Sequence, residues 1–212
     1  AEDFNPTAWR TQAGAQADEF LLAYFGLFNR SKGLETLLTC LANLHAANVP
    51  ARLVLVGGGS GSSDPTNAAY IEEMNDQITR LQLEPHIHRT GYLEDETAVG
   101  AYLAASDAVV LPFLDGASYR RGSLMAALHY GCTIVTTTPQ VKIPTFQDGE
   151  NMLLVSPGNS AALQSALLRL RQSRELRERL RQGATKLADE FRWDTIAQHY
   201  LAFFERIIQE NP

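Results

Sequence analysis

The chain reads as an α/β protein: a doubly wound parallel sheet of about six strands, helices on both faces, and a helical C-terminal tail. Three observations predict this. Short apolar runs alternate with amphipathic helical patterns from Phe20 to Val155. The apolar runs are continuous rather than alternating, as in strands buried on both faces. Strand after strand stops at a glycine, at Gly26, Gly57 and Gly91, and then turns into a helix. Right-handed crossovers bring such loops to one edge of the sheet, which is where ligands bind in this architecture.

Residues 1–19 carry Pro6, Gly14 and mixed polar residues without periodicity, and read as a linker or surface segment anchored by Trp9. The domain then runs over 20–212. Phe20–Phe25 is the first strand, ended by Gly26. Leu34, Leu37, Leu38, Leu41 and Leu44 recur at spacings of three and four, which marks one buried face of a helix. Arg52–Val56 is the second strand. A glycine- and serine-rich loop, Gly57–Ser63, follows it, and Asp64 and Pro65 extend that loop. A helix over 67–81 faces inward through Ile71, Met74, Ile78 and Leu81. His86–Thr90 is a weaker strand closed by Gly91-Tyr92-Leu93, and a helix over 97–105 leads to the buried run Ala108–Leu114. Two further strands are Thr133–Thr137 and Met152–Val155. The tail holds helices over 161–171 and 175–191, then a last one over 194–209 with Asp194 as its cap. Ile196, Tyr200, Leu201, Phe204 and Ile208 give that helix a wide apolar stripe. It either packs on the sheet or docks on a further domain.

Bulk properties narrow the class. The 212 residues are 45% hydrophobic, enough for a substantial core. The net charge of −6 lacks the basic footprint of a nucleic-acid binder. Six arginines between Arg169 and Arg181 read as a solvated helix face. Cys40 and Cys132 are too few for a disulfide framework and lack metal-ligand spacing, so they read as small core residues in a reducing, cytoplasmic setting. No apolar run reaches the roughly 18 residues a membrane span needs. The opening residue is Ala1 rather than Met, as in a processed protein or an excised fragment.

The stretch from Asp115 to Gly131 organises the rest. It leaves a buried strand, forms a small loop and enters a helix near Gly122-Ser123. A helix start exposes unpaired N–H groups and the positive end of the dipole, which favours an anion. Arg120 and Arg121 add guanidinium forks suited to phosphate oxygens. Asp115 and Ser118 offer an acceptor and a hydroxyl in the same loop. Lys32, at another strand-to-helix junction on the same rim, reads as a phosphate contact in that company, with Arg30 as an alternative cation.

Other chemistries fit poorly. Gly57 and Gly58 open a loop that resembles a dinucleotide fingerprint only loosely, since Ser62 stands where the third glycine belongs and no acidic residue ends the next strand. The loop is equally a flexible turn or a close approach to a ligand. No Gly-Lys-Ser/Thr follows it, which excludes a P-loop. His45, His86, His88, His129 and His199 show no metal-ligand set, and no serine has a histidine partner in a nucleophile elbow.

The order of motifs resembles the C-terminal domain of group 1 glycosyltransferases of the GT-B fold. The resemblance rests on Phe25-Gly26 to Lys32-Gly33, Leu53–Gly58, Gly91–Leu93, Ala105–Pro112, His129-Tyr130-Gly131, Asp148–Asn151 and Phe191-Arg192-Trp193. It covers nearly the whole chain, from about Phe20 to Ile208. It implies half of a GT-B fold, a Rossmann-like donor-binding domain for a nucleotide-diphosphate sugar. The sugar would be transferred, usually with retention, to an acceptor, without metal or other cofactor. By the same resemblance, Lys32 contacts the diphosphate, Gly91, Tyr92 and Leu93 lie against the base, and the helix start at Gly122, Ser123 and Leu124 receives the phosphates.

The chain departs from the family in places. Leu27 stands where an arginine is usual. The two family glutamates, which meet the donor sugar and the ribose, fall on Ser118 and Ala126. The acidic residue before Asp148-Gly149 falls on Pro144, and the glycine pair there is absent. Arg120 and Arg121 are candidates to replace the lost arginine, and Asp115 to replace one carboxylate. The resemblance also implies a preceding acceptor domain, which would serve as partner to the terminal helix over 191–212 and could touch a membrane peripherally. The domain alone is expected to bind nucleotide weakly and turn over nothing. The alternatives are a degenerate, non-catalytic scaffold domain, a dinucleotide oxidoreductase, and an epimerase of nucleotide sugars.

Overall fold

The computed structural model describes residues 4–58 and 65–210. Its sheet has six strands, all parallel: β1 (Phe20–Phe25), β2 (Ala51–Val56), β3 (Ile87–Gly91), β4 (Ala108–Leu111), β5 (Ile134–Thr137) and β6 (Leu153–Val155), in the order β3-β2-β1-β4-β5-β6. The helices among the described residues are α1 (Pro6–Gln12), α2 (Leu34–Ala46), α3 (Pro65–Arg80), α4 (Glu96–Ala105), α5 (Gly122–His129), α6 (Ser160–Gln172), α7 (Arg174–Asp189) and α8 (Trp193–Glu210).

Alternate residues of each central strand face opposite cores, which is why the strands are apolar throughout. Leu22, Tyr24, Leu53, Leu55, Ala108 and Val110 join the core beneath α2, α3 and α6. Leu21, Ala23, Val54, Val56, Val109 and Leu111 join the one beneath α1, α4 and α5. The α7 helix spans the two, with Leu176 and Leu180 in the first and Ala184 and Leu187 in the second. The leucine face of α2 is fully inside. Cys40 and Cys132 are buried in the cores, and burial pushes each thiol up to about 12.

Two expectations are corrected and one is refined. The segment 1–19, read as a linker or surface segment anchored by Trp9, carries a short helix. Asn5 caps α1 by accepting from the Ala8 amide at 3.2 Å, with Pro6 at the first helical position. Trp9 packs edge-on against Tyr102 at 5.0 Å, and Arg10 pairs with Asp107 at 2.8 Å. Ala13 is in the core. A helix this short shows no periodicity, so its start signal was the readable feature. The strand at Ala108 ends at Leu111 rather than running to Leu114, because Pro112 has no N–H for the ladder. The last helix begins at Trp193, so Asp194 lies in its first turn rather than at the cap. Of the alternatives for α8, packing on the sheet is not seen. None of its residues is buried, and Trp193 is 85% exposed.

The sheet's far edge holds an acid-sensitive contact. His45 and His86 stack with ring centroids 3.8 Å apart, and His45 Nε2 and His86 Nδ1 are buried without a hydrogen-bond partner among the described residues. Burial first, then the neighbouring His86, holds the His45 pKa below the ordinary histidine value. The Ala51 backbone and Glu19 oppose this, and Arg52 adds to it. A depressed folded-state pKa means the unfolded chain takes up the proton first. Stability is therefore complete above the ordinary histidine pKa of about 6.5 and is lost as pH falls below it. Urea unfolding between pH 7 and pH 5 should show that loss, and His45→Gln should flatten it.

Candidate functional site

The site lies at the carboxyl ends of β1 and β4, neighbours at the centre of the sheet from which the strand order runs outward in both directions. That is the topological switch point of a doubly wound sheet. Two loops meet there. One is Gly26–Gly33, which contains a one-turn 3₁₀ helix over Arg30–Lys32, and the other joins β4 to α5. The Leu114 amide donates to the Ser31 carbonyl at 2.9 Å and ties the loops together. Gly33 lies so close to the Pro112 carbonyl that a Cβ would collide with it.

The cations come from both loops. Arg121 is at the cap position of α5 and its side chain makes no cap bond, which leaves the Gly122 and Ser123 amides for a ligand, while the Leu124 amide donates to the Arg121 carbonyl at 2.9 Å. Its guanidinium lies over the Phe113 ring at 4.8 Å, pairs with Asp115, and reaches Ser31 Oγ at 3.4 Å. These contacts leave the side chain 19% exposed. Lys32 is half-buried beside Gly26, where a Cβ would strike its Nζ. Desolvation, then the nearby Arg121 charge, lowers the Lys32 pKa. Two cations held close in a partly dry crevice favour a bound anion, which relieves both penalties. Around Gly122 the space is open, with nothing within 4 Å of where a Cβ would stand.

Beside them opens a cleft of about 730 Å³. Gly26, Leu27, Gly57 and Gly58 form one side, Tyr92 and Leu93 another, and Met125, Ala126, His129 and Tyr130 of α5 and its end a third. The Gly57 amide donates to Thr90 Oγ1 at 3.1 Å, which fixes the loop after β2 against β3. Gly57 and Gly58 both have positive φ, and a Cβ on Gly58 would press on the Phe28 ring at 3.0 Å.

The structure thus brings together Lys32, Asp115, Arg121 and the start of α5. Gly57, Gly58, Tyr92 and Leu93 form the adjoining cleft. Gly91 sits at the end of β3, bridged to Gly57. Ser123 and Leu124 are buried; Ser123 has its backbone amide to offer, whereas that of Leu124 is taken by the Arg121 carbonyl. Ser118 is half-buried in the loop. Arg120 is not brought in: it is exposed, has no ion pair among the described residues, and does not line the cleft. Arg30 is turned outward to Glu73 at 2.5 Å and lies over the Tyr70 ring. Residues 59–64 of the glycine- and serine-rich loop fall outside the described residues. Sequence reasoning missed Ser31, Phe113 and the α5 wall. The wall was signalled by Gly100 in the middle of α4, where only a glycine leaves room for the Tyr130 ring.

A doubly wound parallel sheet with helices on both faces and a cationic crevice at its switch point defines a Rossmann-like domain. The family model of glycosyl transferases group 1 matches residues 19–173, and the chain belongs to that family. The D-inositol 3-phosphate glycosyltransferase of Corynebacterium kroppenstedtii is 26% identical over 96% of this chain and 44% of its own length. The phosphatidyl-myo-inositol mannosyltransferase of Mycobacterium leprae is 25% identical over 83% of this chain and 43% of its own. The chain thus spans less than half the length of these curated relatives.

Solved structures agree on the fold. HepE from Anabaena, in complex with UDP, superposes with a TM-score of 0.76 at 22% identity, over 95% of this chain and 52% of that one. The C-terminal domain of LpcC, a group 1 protein of Francisella tularensis, gives 0.71 at 19% identity, over 89% of this chain and 92% of that domain. The chain therefore corresponds to the C-terminal, Rossmann-like half of a GT-B fold.

Proposed function

We propose that this chain is the donor-binding half of a glycosyltransferase that uses a nucleotide-diphosphate sugar. The observation that carries the reading is the convergence of Lys32 and Arg121 near the start of α5, with Lys32 against Gly26, which also lines the cleft. The diphosphate lies across the two cations and the Gly122 and Ser123 amides, and the base lies in the cleft against Tyr92 and Leu93. As the sugar leaves, negative charge grows on the diphosphate, and preorganised cations and N–H groups stabilise it without reorganisation. Transfer proceeds with retention on a second, acceptor-bearing domain, and the chain alone turns over nothing. The UDP bound by HepE supports the choice of donor class.

A second reading has its own observation. Ala126 lines the cleft, and Ser118 stands in the loop, where the family places carboxylates for the ribose and the sugar. Asp115 does not fill either role while it is paired with Arg121. A non-catalytic scaffold domain fits that loss. Calorimetry with UDP-, GDP- and ADP-glucose separates the two: saturable heat with one of them supports the donor domain, and no heat with any supports the scaffold.

A further inference from the structure

At the opposite edge of the sheet, where the strands begin, lies a second cleft of about 480 Å³ between α1, the approaches to β4 and β5, and one face of α7. Its walls carry Arg10, Arg174, Arg177 and Arg181 against the carboxylates of Asp107 and Glu178. In a chain of net charge −6 this is a local reversal of sign.

Arg174, Arg177 and Arg181 share one helix face, at spacings of three and four, where like charges repel. All three line the cleft, Arg177 half-buried and Arg174 and Arg181 exposed at its rim. Two of the four arginines hold the structure. Arg10 donates to Asp107 at 2.8 Å, to the Ala105 carbonyl at 3.3 Å and to the Glu19 carbonyl at 2.7 Å. Arg177 donates to the last carbonyls of α6, Leu170 and Arg171. The side chains of Arg174 and Arg181 have no hydrogen bond or ion pair among the described residues; the Arg181 carbonyl accepts from Thr185 Oγ1 at 2.9 Å. Glu178 is engaged by Gln182 Nε2 at 2.9 Å. Arg174 also stands in the first turn of α7, next to Glu175, where the helix dipole disfavours a cation and favours an anion.

We infer that this cleft binds a phosphate group, free or as a phosphomonoester, held between Arg174 and Arg181. Positions seven apart on a helix are separated by about 10.5 Å, a span two extended arginines close around one tetrahedral anion. The cleft lies within the roughly 300–1,000 Å³ range of small-molecule sites. The inference is independent of the donor reading, because it uses none of the same residues.

The test titrates inorganic phosphate and glycerol 3-phosphate into the whole chain at constant ionic strength set with KCl, followed by amide NMR. The chain is compared with R174Q/R181Q and K32A/R121A. Glutamine keeps the helix propensity of arginine, so α7 is retained. Saturable shifts at Ser106, Thr133 and α7 are expected in the parent and in K32A/R121A. R174Q/R181Q should bind about tenfold more weakly, or less still. The tighter of the two probes tells the free anion from the ester. Glu178→Gln, which removes a competing carboxylate and touches no arginine, should tighten binding. Shifts that do not saturate, that survive R174Q/R181Q, or that are confined to the start of α5 would overturn the inference, as would weaker binding in Glu178→Gln.

Discussion

Replacing Lys32 and Arg121 together by alanine should weaken nucleoside diphosphate binding roughly a hundredfold or more, since each charge-assisted contact contributes about 1.5–3 kcal/mol. The two side chains are partly desolvated and mutually repelling before the ligand arrives. The anion therefore gains two strong contacts and removes an existing cost. Arg120→Ala should change the affinity by about twofold at most, as expected of an exposed charge. Calorimetry with UDP on the three proteins checks this. The pH dependence gives a second readout. The lowered Lys32 pKa means that affinity falls as pH rises through it, and the slope disappears in the double variant. Undiminished binding by the double variant would remove the basis of the donor-site assignment.

Gly33→Ala should be among the most destabilising single substitutions, by about 3 kcal/mol, or roughly 6–12 °C in Tm. Two independent penalties add. Gly33 has φ of 66°, the left-handed region that an alanine enters with strain. Its Cβ would also run into the Pro112 carbonyl, which is main chain and has no rotamer to change. The clash forces the two loops of the crevice apart, so nucleotide affinity should fall together with stability. Gly149→Ala is the control. It shares a positive φ but meets nothing within 4 Å, so it should cost about 1 kcal/mol. Thermal unfolding of both variants separates the collision from the backbone strain. Equal losses would show that the Pro112 contact relaxes freely.

The sheet was legible in the sequence because two-sided burial leaves no alternative to continuous apolar strands, as in Leu21–Tyr24 and Ala108–Leu111. The rim was legible through its glycines and through Lys32 and Arg121. What the sequence hid was orientation. Arg120 and Arg121 are adjacent and chemically identical, but Arg121 lies over Phe113 and pairs with Asp115, while Arg120 faces solvent. No periodicity distinguishes them, since the loop is neither helix nor strand. The arginines of α7 show the same limit. Their spacing predicts a shared face, and only the packing of α1 against α4 shows that the face closes a cleft. The loss of carboxylates at Ser118 and Ala126 was plain in the sequence, whereas the presence of Glu94 and Glu96 in the wall of the same cleft emerges only from the fold.

The central pairing of the sheet has a kinetic corollary. Leu21 and Asp107, joined by a 2.8 Å hydrogen bond at the seam of β1 and β4, are 86 positions apart along the chain. Closing so wide a loop carries an entropic toll that local hairpins and helices escape. During refolding, helical signal should return before the seam zips, and nucleotide recognition should return last. A nascent polypeptide can close this seam only after synthesis has passed the fourth strand.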